Sequence, residues 1–167
     1  MKLQSIKNKI NKALDDLYNN DFCLIKNNLC ERCINHRLAV YLEKQNFENY
    51  YVDCEYNKSH LEKVASPKKV SNINGNYIDI IITKRDGNYL NDLICFEVKK
   101  YNNHKGRSKD RDNLKILTGG DSMVNDFGFG YDYGFYIIFG SKRGNTIIET
   151  YKNGKKISDN KKIKEKK

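Results

Sequence analysis

No apolar run in this chain approaches the roughly 18 residues that a membrane-spanning helix needs, so no membrane partner is expected. The opening stretch, MKLQSIKNKINKALDDLYNN, has periodic apolar positions but lacks the continuous apolar core of a signal peptide. Both absences predict an intracellular, cytoplasmic protein. The only proline is Pro67, inside a polar stretch (58–75) that reads as loop. Five cysteines (Cys23, Cys30, Cys33, Cys54 and Cys95) leave one over in any all-disulfide scheme, and reduced thiols are the expectation. Cys30 and Cys33 form a CxxC, but no second CxxC or suitable His pair completes a zinc site. They are expected as small buried residues on a helix. His36, His60 and His104 have no evident partners for a catalytic triad, and His36 and Arg37 are read as interior or groove residues. The segment GGDSMVNDFGFGYDYG has no phosphate-loop lysine and reads as a plain loop before a strand.

What is present suits one domain. At 167 residues the chain is long enough for a substantial core without staples. The net charge of +10 invites a polyanion partner, but its distribution weakens that argument. From Lys152 onward eight lysines face Asp159 and Glu165, so the tail holds +6 of the +10. Residues 1–151 are expected to fold, and 152–167 to form a disordered, solvated tail.

Leu3, Ile6, Ile10, Leu14 and Leu17 predict an amphipathic helix over 2–17. A second helix is expected over 29–46, with Ile34, Leu38, Tyr41 and Leu42 as its stripe and Asn28 as N-cap. Strands are expected at 50–57, 76–84, 92–100, 133–140 and 145–152. A helix is expected from Ser108 or Lys109 to Thr118, stopped by Gly119 and Gly120. That order, helices, strands, helix, strands, predicts an α/β or α+β domain with helices flanking a mixed sheet.

Strands 76–84 and 92–100 carry charges where buried strands should carry none. Pairing them as a hairpin centred near Asn88 sets Asp79 opposite Glu97. Ile78, Ile80 and Ile82 then share an apolar face with Ile94, Phe96 and Val98. Asp79, Ile81, Cys95, Glu97 and Lys99 share the other. Two facing carboxylates repel unless a cation lies between them. Mg²⁺ is commonly held by one or two carboxylates plus water, and a neighbouring lysine can orient water and stabilise an oxyanion. These parts suit attack of water on a phosphodiester.

The arrangement D-x17-E-V-K, each element on an apolar strand, resembles the PD-(D/E)xK nucleases of the restriction-endonuclease-like fold. The resemblance spans about 28–140 and includes the helix and strand before the motif and the helix and strand after it. It implies that Asp79 and Glu97 hold Mg²⁺ (Mn²⁺ substituting), with the Val98 carbonyl as a further ligand and Lys99 serving the water. Ile78 stands where the family often has proline. Glu31, on the preceding helix, matches a carboxylate that contacts the metal in many members, often through water, although the second half of a capping box with Asn28 is an equal reading. Glu55 reads as surface. On the helix after the motif, Arg107, Lys109, Arg111 and Lys115 are candidates for phosphate contacts, weighed against a solvated face that also carries Asp110 and Asp112.

The expectation is therefore a Mg²⁺-dependent nuclease, on DNA more than RNA, in restriction, repair or phage defence. A homodimer is one way to supply the sequence selectivity that 167 residues would otherwise draw from loops. The alternatives are a non-catalytic nucleic-acid-binding module of the same fold within a larger assembly, and a protein-interaction domain.

Overall fold

A computed structural model describes residues 1–56, 78–85, 92–119 and 130–159. Three helices come first: α1 (Leu3–Asn20), α2 (Phe22–Lys26) and α3 (Glu31–Glu43). Strands β1 (Tyr51–Tyr56), β2 (Ile78–Thr83) and β3 (Ile94–Lys100) follow, then α4 (Arg107–Leu117). Strands β4 (Tyr133–Phe139), β5 (Ile147–Lys152) and β6 (Lys155–Asp159) complete a six-stranded sheet in sequential order. Every neighbouring pair is antiparallel except β3–β4, which is parallel. A parallel pair needs a crossover, and α4 supplies it. The protein is a mixed α/β domain with one mixed sheet. Among the described residues no helix is long and apolar enough to cross a membrane.

The sheet separates two cores. On one side α1 and α3 bury Ile6, Ile10, Leu14, Leu17, Ile34, Leu38 and Leu42 against Ile80, Ile82, Phe96, Val98, Phe135 and Ile137. These are the helical stripes expected from the sequence, and truncating one such side chain costs about 2–5 kcal/mol. On the other side Leu114 and Leu117 of α4 pack with Ile81, Cys95, Tyr136, Ile138 and Tyr151. A Cβ at Gly134 would meet Thr118 Cγ2 at 3.0 Å and Leu114 Cδ2 at 3.1 Å. Glycine there lets α4 lie close on β4. All seven residues of β4 are buried, as expected of a strand covered on both faces.

Several expectations need correction. Residues 155–159 form β6 along β5, so the charged tail begins later than Lys152 suggests. The backbone pairing of an edge strand does not require apolar side chains, which is why this lysine-rich stretch looked unstructured. The short helix α2 lies between the helices expected over 2–17 and 29–46, where no element was expected. The N-cap of α3 is Cys30, while Asn28 sits in the left-handed region at φ 56°, so no capping box joins Asn28 to Glu31. Cys30 and Cys33 are exposed rather than buried; Cys23 is exposed as well, Cys54 is half-buried and Cys95 lies in the core. His36 is exposed, and the half-buried Arg37 donates to Asp21 and to the Tyr41 hydroxyl. Residues 58–75 and 120–129, both read as loop, lie outside the described residues.

Candidate active site

The β2–β3 register is the one that alternation implies: Ile80 faces Phe96, Ile81 faces Cys95 and Ile82 faces Ile94. Continuing it by one step sets Asp79 opposite Glu97, but the backbone ladder stops first. Val98 N–H donates to Asp79 Oδ2 at 2.7 Å, so a carboxylate takes the place of a strand carbonyl. The β1–β2 ladder also skips this point: Cys54 pairs with Ile80 and Tyr56 with Ile78, while Glu55 between them lies at φ 49°. The irregularity explains one departure from expectation. Ile78 packs on the α4 side with Ile81 and Cys95, not with Ile80 and Ile82. A break in both ladders at Asp79 rotates the strand and defeats simple alternation.

Four carboxylates surround this break. Glu97, 5% exposed, takes a hydrogen bond from the Asn113 side chain of α4. Asp110, also on α4, places Oδ2 3.4 Å from Lys99 Nζ. Glu31, at the start of α3, places Oε2 3.8 Å from the same ammonium. Its Oε1 accepts from Lys100 N–H at 3.1 Å and from Asn103 Nδ2 at 2.9 Å. Glu31 therefore ties the start of α3 to β3 and to the turn that follows it. Asp110, which a solvated helix face would expose, is instead buried, and the long approach of Lys99 Nζ is the contact its Oδ2 makes. The signal for it is spacing: Asp110 precedes the buried Asn113 and Leu114 by one helical turn.

One lysine cannot neutralise four carboxylates, and the acidities record the strain. Burial pushes the Asp79 carboxyl up to about 6, against the Val98 N–H and the Lys99 charge, which pull it down. Burial also raises Glu97 well above the usual range, reinforced by Asp79 and Asp110. Asp110 is raised by burial despite Lys99 beside it. Burial pulls the Lys99 ammonium down, but Asp110, Glu31 and Asp79 outweigh it and hold the group above its ordinary value. Lys99 is thus a charged donor.

The helix after the motif divides. Arg107 donates to the carbonyls of Asn103, Lys100 and Tyr101, bracing the turn into α4. Arg111 makes a two-pronged pair with Glu149 at 2.9 and 2.8 Å, its guanidinium 4.6 Å from the Tyr136 ring centre. Both guanidinium groups are engaged within the fold. Lys109 is exposed, and Lys115 is exposed and paired with Asp112 at 2.8 Å. Glu55 pairs with Arg32 at 2.7 Å near the surface.

The donor set suits a hard cation in kind: the buried Glu97 and the half-buried Asp79 carry more negative charge than their surroundings neutralise. Val98 directs its N–H toward Asp79, and in a strand the carbonyl of the same residue points to the same edge. Among the described residues no three His, Cys, Asp or Glu side chains form a ready-made cage, so water or substrate would complete the coordination. The chain matches no family model, no curated protein and no solved structure.

Proposed function

We propose that the protein hydrolyses phosphodiester bonds, most readily in DNA, with Mg²⁺ or Mn²⁺ held by Asp79, Glu97 and the Val98 carbonyl. The observation that carries this reading is the Lys99 ammonium, paired with Asp110 and Glu31, beside the uncompensated carboxyls of Asp79 and Glu97. A divalent cation there supplies charge neutralisation and Lewis acidity toward a phosphoryl oxygen. Lys99, kept protonated by Asp110 and Glu31, holds the attacking water and the developing negative charge; it does not accept a proton. Asn113 orients Glu97, and the Val98 N–H fixes one oxygen of Asp79. The restriction-endonuclease-like fold is part of the same proposal. A helix, three antiparallel strands, a crossover helix and a parallel fourth strand, with the motif on strands two and three, suit that core.

The test is a digestion panel of single- and double-stranded DNA and RNA with Mg²⁺, Mn²⁺ or EDTA. Cleavage with either cation that EDTA abolishes is the expected result. A gel shift without cleavage would replace this reading with a non-catalytic nucleic-acid-binding module. Neither cleavage nor binding would leave a protein-interaction domain.

A further inference from the structure

Cys30 and Cys33 sit where thiols do chemistry rather than packing. Cys30 is the extended residue just before the 13-residue α3, at φ −60° and ψ 147°. Cys33 closes the first turn, its N–H donating to the Cys30 carbonyl at 3.2 Å. Their Sγ atoms lie 2.8 Å apart, and both residues are exposed. A disulfide is about 2.05 Å long, so closure needs a movement of only about 0.8 Å. Buried cysteines are inert, whereas exposed ones at a helix N-terminus gain thiolate character from the helix dipole. The two sulfurs are also unequal. The hydrogen bond from the Cys33 thiol, with the Cys33 backbone N–H, pulls Cys30 below its ordinary range, while Cys30 pushes Cys33 up.

We propose that Cys30 and Cys33 form a dithiol–disulfide exchange site whose substrate is a low-molecular-weight disulfide. The Cys30 thiolate attacks one sulfur of that disulfide, the S–S bond breaks, and one thiolate leaves. Cys33, giving up its proton, then attacks Cys30 Sγ in the mixed disulfide and expels the second thiolate. Two protein thiols and one small disulfide become one protein disulfide and two small thiols. The two electrons and the two protons pass to the released molecules. The residue between the cysteines gives the site its consequence. Glu31 holds Lys100 N–H and Asn103, and the ring closed across residues 30–33 encloses it. Because closure needs so little movement, the disulfide pins the first turn of α3 with Glu31 in place.

The experiment treats the full chain with glutathione disulfide and follows thiol count and mass, alongside Cys33→Ser and Cys23→Ser. The wild-type chain loses two thiols, retains no glutathione, and recovers both thiols with dithiothreitol. Cys33→Ser, lacking the second nucleophile, retains one glutathione on Cys30. It acquires it about tenfold faster than the exposed Cys23 does. Cys23→Ser behaves as the wild type. In the closed form the Lys100 amide exchanges with solvent about threefold more slowly or less. Stable glutathione on wild-type Cys30, or equal rates at Cys30 and Cys23, would overturn the exchange site. Faster or unchanged Lys100 exchange would overturn its link to Glu31. None of these readouts depends on nucleic-acid cleavage.

Discussion

Glu97 and Glu149 stand on either side of Tyr136 in one row across the sheet, and each is 5% exposed. Burial acts on both in the same direction, yet their states are opposite. Glu149 receives two hydrogen bonds from Arg111, a third from the Tyr151 hydroxyl at 2.8 Å, and a nearby ammonium from Lys156 at 3.5 Å. Burial pushes its carboxyl up, but Arg111 and Tyr151 outweigh that and hold it below the usual range. Glu97 has an amide where Glu149 has a guanidinium, and two further carboxylates for neighbours. A buried acid with its countercharge built in is structural. One whose countercharge is missing depends on a proton or on a cation from solution.

Exchanging each glutamate for glutamine tests that contrast most severely. Glu97→Gln is expected to lower cleavage by on the order of 10³-fold while leaving thermal stability unchanged or higher, since it removes an uncompensated buried charge. Wild-type cleavage by this variant, measured in single-turnover assays, would remove Glu97 from the site. Lys99→Ala is next, with a loss on the order of 10²-fold in rate. Its affinity for Mn²⁺ is expected to hold or rise, because a positive charge near the carboxylates is gone; calorimetry showing lost binding would contradict the division of roles. Glu149→Gln is expected to act on stability instead. It leaves Arg111 partly buried without its anion and costs about 2 kcal/mol by denaturant titration, with cleavage per folded molecule retained.

The smallest effect separates the two glutamates by pH. The folded-state values of Asp79 and Glu97 are raised, so the native state binds extra protons. Their contribution is full below the ordinary carboxylate range and is lost as pH rises through about 6 for Asp79 and through the raised range of Glu97. Glu149 runs the other way: its contribution is present above its ordinary 4.5 and is lost as pH falls. Without divalent cations, melting temperature should therefore decline from about pH 5 to about pH 8, and added Mg²⁺ should raise it more at the upper end. A cation effect independent of pH would mean that these carboxyls do not bind it.

How far the sequence disclosed this follows from which forces are local. Ile80 and Ile82, alternating in step with Ile94, Phe96 and Val98, disclosed the β2–β3 register, because a slip by one would turn charged side chains into the apolar core under α1 and α3. Glu97 and Lys99 share a face by spacing alone. Asp110 was hidden because its burial depends on how α4 seats against β3 and β4, a tertiary relation that an RSKDRDNLKIL run of charges does not announce. Arg111 was hidden for the same reason, since its partner Glu149 lies 38 positions on. The exposed Cys30 and Cys33 were misjudged by composition: cysteine is usually buried, and only the position of the α3 N-terminus shows otherwise.

The hydrogen bond from Val98 N–H to Asp79 also gives a practical reagent. Since the carboxylate oxygen does a backbone carbonyl's work there, Asp79→Asn can keep the same bond through its amide oxygen while surrendering the charge. The strand would hold its bend while the site lost a charge. If the proposed hydrolysis of nucleic acid is right, such a protein is a bait: mixed with fragmented nucleic acid, it would retain what the site prefers, uncut and ready to be sequenced.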